Sequence, residues 1–593
     1  MAVDPFDPNG VYYGSQFLHK SADRGETWTI ISPDLTTNKK EWQQQAKSGG
    51  ITPDVTGAEN YTTIITIAPS PLERGTIWVG TDDGRVQMTR DGGATWTSVE
   101  NNLKGVPANT WVPEIKASRH DAATAFIVLD DHRRSNWTPY VYRTTDYGKT
   151  WTSLATKDLQ GYALSIEQDP VDADLLFLGT EFGLWVSQDA GKSWFRWKHG
   201  VPTASVMGLQ VHPRDHDLIV ATHGRSAFIL DDIRPLRTVT KETLAKPLYF
   251  FEVGEAMQHT TRQKKGGRFV ADSEFRGENE PYGALLTYSL NLPGLVHPIE
   301  EKERERKAKE REAAQKEPFP ATGVPPDIPK EPVKAAPSDQ AKKPDDDKEP
   351  QVNIEVSDAS GKVIRKFKGP ARLGVNRASW DLTRDAFKRP RSEEAEQESF
   401  RPRTGPEVLP GSYTVAIKFK GNEAKQTVTV VPDPRATLAP DVRKAKYDAI
   451  LRAGALQEKT TEAIERIRKT RADIDTVAAK LKKDDPSADD EPDPLVKSGT
   501  ALKKKLDAIE RRLWTPPRTK GIVAETDALS KIEYPLQSLQ SSWDAPTPSQ
   551  LTYLTYAEGT LAEVMADYDK LFAEEVAKYR DEVRKRNIVL FPE

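Results

Sequence analysis

An octapeptide of one form occurs four times: "SADRGETW" at 21–28, "TRDGGATW" at 89–96, "TTDYGKTW" at 144–151 and "SQDAGKSW" at 187–194. Each places Ser or Thr first, Asp third, Gly fifth, Ser or Thr seventh and Trp last. An Asp in such a turn accepts hydrogen bonds from the N–H groups of its own loop. The hydroxyl adds a further bond, and Gly supplies the left-handed conformation that other residues resist. The Trp opens the next strand and fills the gap against the neighbouring hairpin. Asp23, Asp91, Asp146 and Asp189 are therefore read as structural residues that staple one strand to the next. One carboxylate per turn falls far short of the roughly six to eight oxygens that calcium requires, so no metal is expected there.

The flanking sequence repeats with the octapeptide. In "YTTIITIAPSPLERGTIWVGTDDGRVQMTRDGGATWTSV" and "YALSIEQDPVDADLLFLGTEFGLWVSQDAGKSWFRW", a strand, a Pro-containing turn, a second strand, a tight turn and a third strand lead into the octapeptide and a fourth strand. Four strands at a period of about 40 to 50 residues is the pattern of propeller blades. Roughly five units are expected over residues 1–235. The opening "DPNGVYYGS" reads as a second strand with no first strand before it, and the last copy, "GLQVHPRDHDLIVATHGRSAFILDD", lacks the octapeptide. Both ends thus read as incomplete. The ends complete one another's blade, or the copy is truncated, or a partner chain completes the propeller.

Residues 236–283 read as connecting strands. Alternating segments such as "VNIEVSDASGKVIRKFKG" and "PGSYTVAIKFKG" predict an Ig-like β-sandwich over 284–436, with Trp380 in its core. A charged, Pro- and Lys-rich insertion at 298–350 is expected to be a solvated linker. From 437 to 593 the texture is helical. Val442, Ala445, Ile450, Leu456, Ile464, Ile467, Ile474 and Val477 share one face, and Leu551, Leu554, Leu561, Met565, Tyr568, Phe572, Val576 and Tyr579 share another. Thr547, Pro548 and Gln550 predict a capping box at the start of the last long helix. The expected fold is multidomain and mainly β: an Asp-box β-propeller, a sandwich and a C-terminal α-helical bundle.

Composition narrows the function. The chain has 593 residues, with 85 Lys and Arg against 89 Asp and Glu. Balanced, dispersed charge offers no basic stripe for nucleic acid and no attraction to an anionic membrane. The absence of Cys removes disulfides, thiolate metal sites and cysteine nucleophiles. No run approaches the roughly 18 apolar residues of a membrane span. The opening residues show neither the basic nor the apolar region of a signal peptide. No phosphate loop, dinucleotide fingerprint or metal-ligand spacing is present, and no cofactor is expected.

The four octapeptides resemble the Asp-box, or BNR, repeats of sialidases, xyloglucan-hydrolysing propellers and sortilin-type receptors. More closely, "RGETWTIISPDLTTN", "GAENYTTI", "WVGTDDGRVQMTRDGGATW", "LLFLGTEFGLWVSQDAGKSW" and "ATHGRSAFILDDI" are similar to the sortilin-like bacterial proteins often labelled glycosyl hydrolase. The resemblance implies a propeller, a small Ig-like domain and a helical tail, in a periplasmic or secreted setting. It also implies a peptide, protein or glycan ligand. The Arg-Ile-Pro motif of sialidases is absent.

Strand order locates the candidate site. The octapeptides share a face with the turns between strands one and two, so the opposite face carries the turns between strands two and three and the links between blades. Those loops gather Glu59, Tyr61, Asp82, Asp83, Trp111, Glu114, Asp130, Asp131, His132, Arg133, Arg134, Glu181, Phe182, His223 and Arg225. Glu59, Asp83, Glu114, Asp131 and Glu181 are the candidate catalytic carboxylates for glycoside hydrolysis, which needs an acid, a carboxylate and an aromatic platform. Tyr61, Trp111, His132, Arg133, His223 and Arg225 are the candidate ligand-binding residues. A binding module is the first function expected and a glycoside hydrolase the second; a purely scaffolding role, with the helical tail as a docking surface, is the third.

Overall fold

The computed structural model describes residues 1–43, 61–260, 277–316, 350–391, 404–484, 493–515 and 526–586. The chain divides into two compact units, Met1–Thr243 and Leu244–Glu593. In the first unit, four blades are four-stranded antiparallel sheets and a fifth has three strands. Blade 1 holds β1 (Ala2–Val3), β2 (Val11–Gly14), β3 (Leu18–Ser21) and β4 (Thr29–Ile30). Blade 2 holds β5 (Ile64–Pro69), β6 (Ile77–Thr81), β7 (Val86–Thr89) and β8 (Thr97–Ser98). Blade 3 holds β9 (Trp111–Ala117), β10 (Ala125–Asp130), β11 (Tyr140–Thr144) and β12 (Thr152–Ser153). Blade 4 holds β13 (Ala163–Gln168), β14 (Leu176–Thr180), β15 (Gly183–Ser187) and β16 (Phe195–Arg196), and blade 5 holds β17 (Val206–Val211), β18 (Leu218–Thr222) and β19 (Ala227–Leu230).

Blade 1 corrects the expectation that its first strand is missing. Ala2 and Val3 pair with Tyr12 and Val11. The strand is too short to show alternation, but its turn is built: Asp4 accepts hydrogen bonds from Phe6 N at 3.0 Å and Tyr12 Oη at 2.9 Å and pairs with Lys20 Nζ at 3.0 Å. The two ends do not complete one another's blade, since β1 belongs to the sheet of β2–β4 and β19 to that of β17–β18.

The octapeptide adopts one geometry in all four copies. Asp23 Oδ1 accepts from Ser21 Oγ at 2.7 Å and Thr27 N at 2.9 Å, Oδ2 accepts from Thr27 Oγ1 at 2.6 Å, and Ser21 Oγ accepts from Gly25 N at 2.8 Å. Asp91, Asp146 and Asp189 repeat these bonds with Thr95, Thr150 and Ser193. Each turn from blade 2 onward also packs on the blade before it. A Cβ on Gly93, whose φ is +105°, would sit 2.2 Å from the carbonyl oxygen of Ile31. Trp194 is buried and donates to Leu154 O at 2.9 Å, whereas Trp28 in blade 1 is 41% exposed.

Alternate strand residues face the two neighbouring blades, and each interface has its own core. Tyr12 and Leu18 meet Ile77 and Val79 between blades 1 and 2; Trp78 and Met88 meet Val112 and Ile127 between blades 2 and 3. Phe126 and Val128 meet Ile166 and Trp185, and Phe177 and Val186 meet Leu209 and Val220, at the next two interfaces. The first strands also exchange hydrogen bonds across these boundaries. Ile115 N donates to Thr66 Oγ1 at 3.1 Å, and Ile166 N donates to Glu114 Oε2 at 2.8 Å, so edge N–H groups find partners in the preceding blade. On blade 5, Met207, Ile219 and Ile229 are 51%, 37% and 59% exposed. Their register equivalents in blade 4, Leu164, Phe177 and Val186, are buried.

The second unit opens with β20 (Leu248–Phe250), β21 (Ala256–Met257) and β22 (Ala284–Leu290). It continues with β23 (Gln351–Ser357), β24 (Val363–Pro370), β25 (Gly374–Trp380), β26 (Thr383–Asp385), β27 (Thr404–Glu407), β28 (Gly411–Phe419) and β29 (Asn422–Val431). A sheet in the order β20-β22-β25 and one in the order β21-β29-β28-β23-β24 enclose one core that includes Leu286, Tyr288, Ile354, Trp380 and Val415. Trp380 is fully buried and its indole donates to Thr383 O at 2.9 Å. β20 and β21, read from sequence as connecting strands, are members of these sheets.

The charged run begins as a helix, Glu300–Lys316, rather than as a linker. Glu, Lys, Arg and Ala are strong helix formers, and Arg306–Glu303 and Arg304–Glu300 pairs line its first turns. Residues 317–349 lie outside the described residues.

Helices Pro440–Asp484, Pro494–Leu513, Ala528–Gln540 and Pro548–Leu571 pack around Ile464, Ile467, Leu506, Ile532 and Leu561. Thr547 and Gln550 form the expected capping box. Ala445 and Leu551 fall off the expected faces and are exposed, while Ala557 and Val564 take part in the core.

Gly93→Ala is expected to lower stability by about 2 kcal/mol, because the new Cβ meets backbone in a left-handed conformation; thermal melting of the full chain checks it. Acid titration of the same melt tests the Asp turns. Hydrogen bonds from Thr27 and Thr95 hold Asp23 and Asp91 down from the ordinary 3.8 to about 2. Their contribution is present above the unfolded value and is lost as pH falls toward 2. Asp23→Asn with Asp91→Asn should flatten that part of the profile.

Candidate functional site

Hydrogen bonds between loops fix the two faces of the propeller. Each octapeptide turn bonds the turn between strands one and two of its own blade: Arg24 N to Asn9 O at 2.9 Å, Gly92 N to Gly75 O at 3.0 Å, Tyr147 N to Ala123 O at 3.0 Å and Ala190 N to Asp174 O at 2.9 Å. On the other face, turns between strands two and three bond the links between blades. Asp82 N donates to Thr63 O at 3.0 Å, Glu181 N to Tyr162 O at 3.1 Å and His223 N to Ser205 O at 2.8 Å. The loops expected to carry the site therefore share one surface.

Most of the candidate carboxylates on that surface hold the loops together. Asp83 is fully buried; it accepts from Thr37 N at 2.7 Å and Thr37 Oγ1 at 2.6 Å, and also from the Thr81 hydroxyl. Asp131 pairs with Arg134 Nε at 2.5 Å and accepts from Asn136 Nδ2 at 2.8 Å. Arg134 reaches on to Ala108 O at 2.8 Å in the preceding link. Glu114 lies on β9, where besides Ile166 N it meets Lys116 Nζ at 3.4 Å; that ammonium pairs with Glu167 at 2.9 Å. Burial pushes Glu114 up to about 7 against the pull of Lys116. Glu181 is half-buried, and its carboxylate accepts no hydrogen bond among the described residues. Glu59 lies outside the described residues.

Asp82 differs from these. Burial pushes it up to about 7, with the neighbouring Asp83 charge adding to the shift and the Thr63 N–H opposing it. Thr63 N donates to its Oδ1 at 2.8 Å.

Aromatic and cationic groups from blades 2 to 4 meet on the same surface. The His132 ring stacks on Tyr162 at 4.4 Å and 16°, and Trp137 lies 6.1 Å from His132 and 5.8 Å from Tyr162. Asp130 orients the imidazole by bonding Nδ1 at 2.7 Å and the His132 N–H at 2.9 Å. Arg133 places its guanidinium 3.0 Å from the Trp111 ring centre. Tyr61 leans on Trp42 at 5.7 Å, and burial followed by the Asp82 and Asp83 charges pushes it up to about 12. Phe182 is 40% exposed and Trp137 55% exposed. His223 and Arg225 are exposed in blade 5, and among the described residues their side chains make no hydrogen bond or ion pair.

Trp137 and Tyr162 are the members that single-residue reading of the sequence passed over. Trp137 sits in the loop "DDHRRSNWTPY" beside residues that were chosen, and Tyr162 precedes a strand where it reads as core. Among the described residues no cluster of His, Asp and Glu could hold a metal ion. No described helix is long and apolar enough to cross a membrane.

Residues 139–250 match the family model Sortilin-Vps10, described as sortilin, neurotensin receptor 3. That segment of the propeller is similar to the sortilin family. The match begins just before β11 in blade 3, runs through blades 4 and 5 and ends at β20. No curated protein matches it. Among solved structures, an ancestral GH74 enzyme is 18% identical over 37% of this chain and 27% of that one, with a TM-score of 0.29. The GH74 enzyme of Niastella koreensis is 19% identical over 39% and 36%, also at 0.29. YCF48 bound to D1 peptide is 18% identical over 29% and 52%, at 0.23. The chain thus spans between about a quarter and half of the length of these proteins.

Asp82→Asn keeps an acceptor for the Thr63 N–H and removes the charge. A carboxyl raised in the folded state destabilises progressively as pH rises from 3.8 to about 7. The variant should melt with the wild type near about pH 4 and above it near about pH 8, by differential scanning calorimetry.

Proposed function

We propose that the sortilin-like propeller is a binding module. Its ligand, a peptide, protein or glycan chain, lies across the face opposite the octapeptides. The observation that carries this reading is the His132–Tyr162–Trp137 cluster, drawn from two blades and stacked in advance, beside the Arg133–Trp111 pair. Preassembled rings offer contact area at little ordering cost, and Arg225 and His223 add exposed donors along the same face. Three candidate carboxylates, Asp83, Glu114 and Asp131, are occupied by hydrogen bonds that hold loops and blades, which favours binding over hydrolysis.

Trp137→Ala and Arg225→Ala remove exposed side chains and should leave melting unchanged, while each weakens capture on glycan or peptide arrays by about tenfold. Capture that survives both substitutions would sink the reading. Asp82, held near 7, is the residue suited to a general acid in the alternative reading, glycoside hydrolysis. Release of reducing sugar from β-glucan oligosaccharides, abolished by Asp82→Asn, would establish that alternative instead.

A partner chain completing the propeller is a second proposal, favoured by the exposure of Met207, Ile219 and Ile229 where blade 4 buries its equivalents. A second copy of this chain is the partner we assign to that face. Sedimentation should then show a self-associated species that Met207→Lys with Ile229→Lys dissociates; a wild type that stays monomeric at all concentrations overturns the assignment.

A further inference from the structure

In the second unit, a cavity of about 380 Å³ lies between the β26–β27 hairpin and the first turns of helix Pro440–Asp484. That volume suits a small molecule. Val408, Leu409, Ile450 and the Trp543 ring supply apolar wall, and Arg443, Lys446, Tyr447 and Glu407 supply the polar groups. Arg443 and Lys446 stand three residues apart on one helix face, and they are only 8% and 4% exposed.

The charges on this wall do not balance. Glu407 accepts from Trp543 Nε1 at 2.8 Å and from the Tyr282 hydroxyl, and its contact with Arg443 is long, at 4.0 Å. Arg443 is otherwise engaged: it donates to Gln258 Oε1 at 2.9 Å and its guanidinium lies 4.5 Å from the Trp543 ring centre. Lys446 has one hydrogen-bond partner among the described residues, the neutral Gln550 Oε1 at 3.2 Å, which already accepts from Thr547 N at 3.0 Å. An ammonium carries three donors, and a buried cation without an anion is disfavoured by desolvation. Asp544 acts on Lys446 only through its field. Tyr447 Oη accepts from Arg384 Nη1 at 3.1 Å, which leaves its own proton to donate. Burial lowers both Lys446 and Arg443 from their ordinary values, against the opposing fields of Asp544 and Glu407.

We propose that this cavity binds a small organic carboxylate, its charge on Lys446 and the Tyr447 hydroxyl and its apolar or aromatic body against Ile450, Val408 and Trp543. With Arg443 and Lys446 against Glu407, the wall carries one excess positive charge, which matches a monocarboxylate better than a phosphate dianion. The site is independent of the propeller face, so either proposal can fail alone.

Benzoate is the probe, titrated into the full chain by calorimetry and by melting, against benzamide, inorganic phosphate and matched sodium chloride. Benzoate should bind saturably and raise the melting temperature, and benzamide, phosphate and chloride should not. Lys446→Met should abolish saturable benzoate binding and melt at or above the unliganded wild type, since the unpaired charge is gone. If that variant does not fold, Tyr447→Phe, expected to weaken benzoate about tenfold, decides the matter. Benzoate no better than benzamide, or bound equally by the variant, overturns the proposal, and phosphate binding in preference to benzoate overturns the carboxylate assignment.

Discussion

The carboxylate of the Asp turn is the constraint on which the propeller rests. It bonds a hydroxyl before it, and a backbone N–H and a hydroxyl after it, so the passage from third to fourth strand has one conformation in every copy. That conformation throws the following Trp and Gly against the preceding blade. Gly93 has no room for a Cβ beside the Ile31 carbonyl, and Gly148 and Gly191 pack closely on the side chains of Val99 and Leu154. A local turn thereby sets the spacing between blades. The four apolar cores follow, because each strand then presents one set of residues to the blade before it and the other to the blade after it.

The same turn decides where chemistry can occur. By tying itself to the turn between strands one and two, it occupies one face and leaves the other to longer loops. On that other face two demands compete for acidic side chains. Loops and blade edges must find hydrogen-bond partners: Asp83 supplies one to the backbone of Thr37, Asp131 to the side chains of Arg134 and Asn136, and Glu114 to the edge N–H of Ile166. Aromatic rings have no such obligation. His132, Trp137 and Tyr162 form a surface held mainly by ring packing, with the Asp130 bond to the imidazole as a polar tether.

Much of the fold was legible because it is written locally. The blade repeat, the sidedness of its loops, the buried Trp380 and the Thr547–Gln550 cap all depend on residues a few positions apart. The misses have physical causes too. A two-residue strand such as Ala2–Val3 carries no alternation, so only pairing with β2 reveals it. The run beginning at Glu300 has no apolar face, and its helix rests on propensity and ion pairs rather than burial. Leu551 was placed on the buried stripe by spacing alone, yet the neighbouring helices meet Leu554 and Ala557 instead.

The sequence by itself determined the turns, the blades and the face on which to look, since the turns close their hydrogen bonds within four residues and the strand order around them repeats along the chain. Only the tertiary structure decided what each candidate residue does there. Asp83 meets Thr37 across 46 residues, and His132 meets Tyr162 across the boundary between two blades. Among the described residues Lys446 has no ion-pair partner, because the helix that carries it packs beneath a sheet edge where the nearby acid, Glu407, is already taken by Tyr282 and Trp543. Such pairings depend on which loops and edges adjacent elements bring together, and spacing along the chain does not encode them.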